Sequence, residues 1–265
     1  MDRHILITNG RSGSNYFVQM LNQHPAIVNY GEVLGRWTFA GRFFLPLFGR
    51  KGAGAYLGWL WKSSAFFYGA QIYSYAVRKF HGRKTHFRNR KNIRTIGVKE
   101  LIVNLRRRDL VDRLVDDETL KVVTLVRENP LDRYVSGALL AKTGMVARTK
   151  NEPVSIERIR LDTDRLLQSL DTIQEENDAI AGVANRVGPD RVFRLSYEKY
   201  FGADESKRLE PKLALLEFLG VEPMDLPAEH KRIRQQDLPA VLENYEDVAA
   251  RLAGTRYEKY LGADV

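Results

Sequence analysis

Two rhythms of apolar and polar positions run along the chain. Short runs rich in aliphatic, β-branched or aromatic residues occur at Ile5–Ile7, Ala26–Tyr30, Thr95–Val98, Leu120–Val126 and Arg191–Leu195. Runs of this kind are how strands buried on both faces read. Between them apolar residues return every three or four positions: first at Phe17, Met20 and Leu21, later at Leu166, Leu170, Ile173, Ile180, Ala184 and Val187. Those stripes predict helices with one face on a core. Leu101–Asp117, Lys212–Leu219 and Leu238–Leu252 read as further helices, and Asn129-Pro130 reads as N-cap and first residue of a helix that ends before Gly144. Strand and helix alternate, so the expected class is α/β, with a central, mostly parallel sheet flanked by helices. With no internal repeat and no Pro/Ser-rich linker, residues 1–265 are expected to form one domain.

The alternation lapses between residues 36 and 92. Trp37, Phe39, Phe43, Phe44, Tyr56, Trp59, Trp61, Phe66, Phe67, Tyr68, Tyr73 and Tyr75 gather there among glycines. Lys62, Ser63 and Ser64 interrupt the apolar runs, so the stretch lacks the uninterrupted length of a membrane helix and reads as a helical insertion or lid. It ends in Arg78–Arg94, a run without an acidic residue. Such a run reads first as a solvated loop; beside an aromatic insertion it could also hold an anionic acceptor or rest on an anionic membrane surface.

Chemistry concentrates after the first strand. Gly10-Arg11-Ser12-Gly13-Ser14-Asn15 lies between that strand and the first helix, which Ser12 or Ser14 could cap. Glycines allow backbone N–H groups to converge at a helix N-terminus, which attracts an anion, most often phosphate. The lysine of a Gly-x-x-x-x-Gly-Lys-Ser/Thr loop is missing, and so is the Gly-x-Gly-x-x-Gly dinucleotide pattern. An arginine among serines suits a terminal phosphate or sulfate-bearing group without a metal.

If the sheet is parallel, three further segments reach the edge where that loop lies: Gly31-Glu32 after the second strand, Lys99-Glu100 after the third, and Arg127 after Leu120–Val126. A carboxylate there suits a general base. Glu32 is the first candidate, with His24 and Glu100 as its rivals; His24 also reads as a helix-end residue beside Pro25, and Glu100 as a structural contact.

Composition narrows the partners only in part. Lys+Arg 42 against Asp+Glu 33 gives +9, which favours anionic partners without choosing among nucleotides, acidic glycans, lipid headgroups and nucleic acid. The aromatic residues form no recognisable nucleic-acid reader, so nucleic acid is not expected. Zero cysteine excludes disulfides, thiol catalysis and cysteine-type zinc sites. The first core strand begins almost at residue 1, which leaves no room for a signal peptide, and the expected compartment is the cytosol, with peripheral membrane contact through Arg78–Arg94 as an option.

Taken as a pair, Arg11-Ser12-Gly13-Ser14 after strand one and Arg127 followed nine residues later by Ser136 resemble the cosubstrate signature of sulfotransferases. These use 3′-phosphoadenosine 5′-phosphosulfate (PAPS), and the likeness is to the carbohydrate and nodulation-factor type from bacteria. The resemblance continues through LVRENPLDRYVSGALLA, Tyr197-Glu198, Phe218-Leu219-Gly220-Val221, Glu243-Asn244-Tyr245-Glu246 and Gly254-Thr255-Arg256-Tyr257, leaving out the aromatic insertion. It implies a P-loop-like three-layer fold. It also implies that Arg11, Ser12, Gly13, Ser14, Asn15 and Tyr16 hold the 5′-phosphosulfate, that Arg127 and Ser136 hold the 3′-phosphate, and that Glu32 is the base. Asn15 stands where that family has threonine or serine; its amide can donate a hydrogen bond as a hydroxyl would. The implied reaction is transfer of a sulfuryl group from PAPS to the hydroxyl of a carbohydrate or glycolipid, leaving adenosine 3′,5′-bisphosphate, with no metal.

Two other readings remain. A phosphoryl transferase using ATP requires magnesium and the lysine this loop lacks. A non-catalytic module would bind anionic lipid or glycan through Arg78–Arg94.

Overall fold

The computed structural model describes residues 1–49, 52–80, 87–144, 148–149, 158–202, 205–226, 230–231 and 237–262. Its strands are β1 (Asp2–Thr8), β2 (Ile27–Asn29), β3 (Thr95–Leu101), β4 (Leu120–Val126), β5 (Arg148–Thr149), β6 (Val192–Ser196) and β7 (His230–Lys231). Five of them form one sheet in the order β2-β3-β1-β4-β6 with every pairing parallel, while β5 and β7 make a separate antiparallel pair. All five strands of the main sheet therefore deliver their carboxyl ends to one edge, and β1 is its middle strand.

The pleat of β1 separates two cores. Ile5 and Ile7 face one side with Ile96, Val98, Leu120 and Val122; Leu6 faces the other with Val123, Leu125 and Leu195. On the Leu6 side pack α1 (Ser14–Leu21), α9 (Tyr197–Gly202) and α10 (Leu209–Phe218), through Phe17, Met20, Tyr200 and Leu215. On the Ile5 side pack α5 (Ile102–Arg107), α6 (Val111–Asp116) and the C-terminal part of α8 (Thr163–Arg186). A third core joins α7 (Pro130–Thr143) and the start of α8 to α11 (Leu238–Val241) and α12 (Tyr245–Leu252). The α/β class with helices on both faces of a parallel sheet is thus the observed one.

The aromatic stretch contains α2 (Phe39–Phe43), α3 (Ala53–Lys62) and α4 (Ser64–Phe80). Its inner rings are not a loose lid: Tyr56, Trp61 and Phe67 are buried in the same core as Ile5 and Val98. The basic run is only partly solvated, because Arg90 donates to the carbonyls of Trp61, Lys62 and Ser63, closing the end of α3, and Arg88 donates to the carbonyls of Asn22 and Ile27. Residues 81–86 of that run lie outside the described residues.

Three expected boundaries shift. Leu101–Asp117 is two helices, α5 and α6, because Asp109 takes a left-handed backbone (φ 53°) between them. Leu238–Leu252 is likewise divided into α11 and α12, at Asn244, whose side chain bonds both backbone groups of Leu161 at 3.0 Å. Finally, α1 has no serine cap: its N-cap is Gly13, with φ 78°. By contrast α7 opens as read, with Asn129 accepting from the Asp132 N–H at 3.0 Å, Pro130 as first residue, and Gly144 (φ 68°) closing it.

Candidate functional site

The turn after β1 is built around two left-handed residues, Arg11 (φ 65°) and Gly13 (φ 78°). An alternation of this kind points successive N–H groups toward one place. A Cβ on Gly13 would lie 2.7 Å from the Phe201 ring, so glycine is required there by packing as well as by φ. Ser12 turns the opposite way from an anion: its hydroxyl is buried, bonded to the Thr8 hydroxyl and to the Asn9 carbonyl at 2.8 Å. The Thr8 hydroxyl donates in turn to the Leu125 carbonyl at 2.8 Å, which ties the turn to β4. Ser12 therefore shapes the loop with its side chain and has only its N–H left for a ligand. Tyr16 is also turned aside, its hydroxyl 2.9 Å from that of Tyr200 and its ring among Phe17, Tyr200 and Phe201.

Three guanidinium groups surround this turn. Arg11 Nε donates to Ser136 Oγ at 3.2 Å. Arg127 Nη1 donates to the Arg11 carbonyl at 3.4 Å, its Nη2 pairs with buried Asp132 at 3.1 Å, and its carbon lies 4.3 Å from the centre of the Tyr197 ring. Arg133, seven residues before Leu140 on α7, donates through Nε to the Gly10 carbonyl at 2.7 Å and pairs with Glu176 at 2.6 Å. Burial, and after it the charge of Arg127, holds the Arg11 guanidinium below its ordinary range. Burial does the same to Arg133, against the opposing pull of Glu176.

Other side chains fix this arrangement. The Glu198 carboxylate accepts from the N–H groups of Glu128 and Asn129 at 2.9 Å each, which sets the turn that carries Arg127. Asn177 on α8 donates to the Arg127 carbonyl at 2.9 Å and accepts from Asn9 at 2.5 Å. Among the described residues, six buried side-chain polar atoms lack a hydrogen-bond partner, and four belong to this cluster: Asn9 Oδ1, Arg127 Nε, Asn129 Nδ2 and Arg133 Nη1. Such atoms are costly in a folded chain, and their concentration at one turn makes it the candidate site.

A second group stands at the same sheet edge. Lys99 Nζ pairs with Glu32 Oε1 and donates to Asn15 Oδ1 at 3.1 Å, so the lysine bridges the carboxylate and the loop. Trp37 Nε1 donates to Glu32 Oε2 at 2.7 Å, and its ring is exposed. Each carboxylate oxygen retains a free lone pair for a further donor.

The two rivals of Glu32 have structural posts. Glu100 is buried and accepts from the N–H groups of Val33 (2.5 Å) and Leu34 (2.6 Å) and from Asn104 Nδ2 (3.3 Å); burial pushes it up to about 7 against those bonds. It clamps the segment after Glu32 onto β3. His24 accepts the Ala26 N–H on Nδ1 and faces the Glu222 carbonyl with Nε2 at 3.0 Å, closing the far end of α1.

Of the residues singled out from sequence, the fold brings both Arg127 and Ser136 into contact with Arg11, and Glu32 and Asn15 into contact with one lysine. Sequence reasoning brought Lys99 to this edge without giving it a role, and missed Arg133 and Trp37 as members of the site. Lys99 alternates with the apolar residues of β3, a signal available in the sequence, whereas nothing there links Arg133 to Gly10.

No family model and no curated protein sequence matches the chain. Among solved structures it is similar to a sulfotransferase from Alicyclobacillus acidocaldarius, at 16% identity with 100% of this chain and 97% of that one covered and a TM-score of 0.48. It is similar also to the sulfotransferase domain of the Synechococcus PCC 7002 olefin synthase (17% identity, 99% and 94% covered, TM-score 0.43). A third is the sulfotransferase STF9 from Mycobacterium avium (13% identity, 96% and 76% covered, TM-score 0.41).

Proposed function

We propose that the chain, working as one unit over residues 1–265, is a sulfotransferase that takes PAPS and esterifies an acceptor hydroxyl of carbohydrate or glycolipid type. The observation that carries this reading is the gathering of Arg11, Arg127 and Arg133 about one left-handed turn, with unpartnered buried N–H groups among them. A nucleotide with phosphate on two separate positions calls for several anion holders, and planar guanidinium forks suit both ends. The residues fit it: Arg11 with the N–H groups of residues 12–15 faces one anion, and Arg127 with Ser136 and Arg133 faces the other. The missing loop lysine argues against the phosphoryl transferase.

PAPS supplies the sulfuryl group and an oxygen of its 5′-phosphate leaves with the electron pair of the broken S–O bond. Glu32 takes the acceptor hydroxyl's proton as that oxygen bonds to sulfur. Lys99, between Glu32 and the loop, holds the carboxylate in place and sets a positive charge beside the departing phosphate. Arg11 and the loop N–H groups stabilise the same growing charge, a contribution of about 3 kcal/mol for one such donor. The exposed ring of Trp37, bonded to the base, offers a stacking platform for a sugar.

Transfer of radioactive sulfate from PAPS to a panel of glycans and glycolipids tests the reading. Label in an acceptor with the intact chain, and none with Glu32→Gln, is the expected result. Label from γ-phosphate of ATP with magnesium, and none from PAPS, would replace it with the phosphoryl transferase.

A further inference from the structure

Apart from Trp37, which bonds Glu32, the outer surface of the aromatic stretch has no part in either group of site residues. Nine of the twelve large hydrophobic side chains that are exposed among the described residues lie between Trp37 and Phe87. Phe39, Phe43 and Leu47 fall at four-residue spacing on successive turns, and Phe39 meets the Phe43 ring at 4.9 Å and stacks on Tyr73 of α4 at 4.9 Å with 19° between planes. With Trp37 and Ile72 these side chains are 46 to 77% exposed. Scattered single exposed rings need no explanation, but three that meet, Phe43, Phe39 and Tyr73, do.

Charge says what covers it. From Val33 to Lys99 the chain has fourteen lysines and arginines and no acidic residue, leaving 28 of its 42 basic residues against all 33 acidic ones elsewhere. Arg36, Arg42, Lys62, Lys91 and Arg94 are exposed, and the Arg42 guanidinium lies 5.6 Å from the Phe43 ring centre. Exposed rings and aliphatic side chains in a stretch this rich in cations match the headgroup region of an anionic bilayer: apolar groups enter the acyl boundary, tryptophan and tyrosine sit at headgroup level, and arginines meet lipid phosphates. A second copy of the chain would set this cationic surface against itself. No described helix is long and apolar enough to cross a membrane, so the contact is made from one side.

We propose that the face formed by Phe39, Phe43, Leu47, Ile72 and Tyr73 docks the protein on an anionic lipid surface. The proposal is independent of the transfer chemistry, since it requires nothing of Arg11, Arg127 or Glu32.

Sedimentation of the intact chain with vesicles tests it directly. The chain pellets with vesicles of equal parts phosphatidylcholine and phosphatidylserine and stays in solution with phosphatidylcholine alone. Trp37 is the exposed one of three tryptophans, so its emission shifts to the blue on binding. Phe39→Ser with Phe43→Ser and Leu47→Ser lowers partitioning by at least about tenfold, and so does Arg36→Glu with Arg42→Glu, which leaves the apolar side chains in place. An unchanged thermal unfolding midpoint in either variant shows that the loss belongs to the surface. Failure of the intact chain to pellet with the anionic vesicles, or undiminished binding by both variants, overturns the proposal. So does a dimer in light scattering that the serine variant abolishes, which would give the face to a second copy.

Discussion

Arg127 reaches across the sheet edge to place Nη1 3.4 Å from the carbonyl oxygen of Arg11, a residue 116 positions away. Neither residue is held by the other alone. Asp132 and the Tyr197 ring fix Arg127, and Ser136 holds Arg11, so both guanidinium groups are held at the turn after β1.

Removing Arg127 has two separable effects. Arg127→Ala takes away the cation 3.1 Å from Asp132, a carboxylate 1% exposed, a loss on the order of 3–5 kcal/mol in stability. Combining it with Asp132→Asn recovers much of that loss in urea unfolding. Affinity for adenosine 3′,5′-bisphosphate falls in both variants and is not recovered in the double one.

Glu32→Gln keeps the shape of the Trp37 and Lys99 contacts and removes the proton acceptor. Turnover is expected to fall by about 10² to 10⁴ while nucleotide affinity stays within about twofold. Lys99→Met should lower turnover as well and loosen the loop through Asn15. Steady-state kinetics beside nucleotide titration separates the two, and unchanged turnover in Glu32→Gln would move the base elsewhere.

Two buried groups give the stability opposite slopes with pH. Glu100 is raised to about 7, so the folded chain holds its proton more firmly than the unfolded one. The stability it adds is complete below about pH 4.5 and is lost as pH rises through 7. His4, bonded to Thr95 and Asn29, is lowered to about 3 by burial and then by Lys121. Its contribution is present above about pH 6.5 and is lost as pH falls toward 3. Between pH 4.5 and 6.5 the two oppose each other. Glu100→Gln should expose the His4 slope, on the order of 1 kcal/mol per pH unit, as a urea midpoint that climbs steadily from pH 4.5 to 6.5.

Gly13→Ala forces a Cβ to 2.7 Å from Phe201 on a backbone with φ 78°. A loss of about 1–3 kcal/mol is expected, together with a displaced loop and weaker nucleotide binding. An unfolding midpoint and affinity equal to the parent's would contradict the geometry described for the turn.

The five strands of the main sheet were legible as short apolar-rich runs, α7 and α8 as helical stripes between recognisable caps, and α1 by its stripe alone. Arg11 and Arg127 could be brought together because parallel strands share a carboxyl edge, and that needs no side-chain detail. The pairing of Glu32 with Lys99 was not legible: it depends on the alignment that sets Leu6 beside Lys99 and Ile7 beside Glu100. Ser12 pointing inward was hidden for a different reason, since a loop with two positive-φ residues has no period from which to read side-chain direction. The aromatic stretch looked like an appendage because its spacing is irregular, yet Tyr56, Trp61 and Phe67 supply part of the core on the Ile5 side.

Calorimetric titration with adenosine 3′,5′-bisphosphate in the presence of a chelator tests the arginine cluster most directly. The account predicts binding of one nucleotide per chain without any divalent cation, abolished when Arg11 and Arg127 are both replaced by alanine. No heat of binding to the intact chain, or binding of ATP only when magnesium is added, would contradict it.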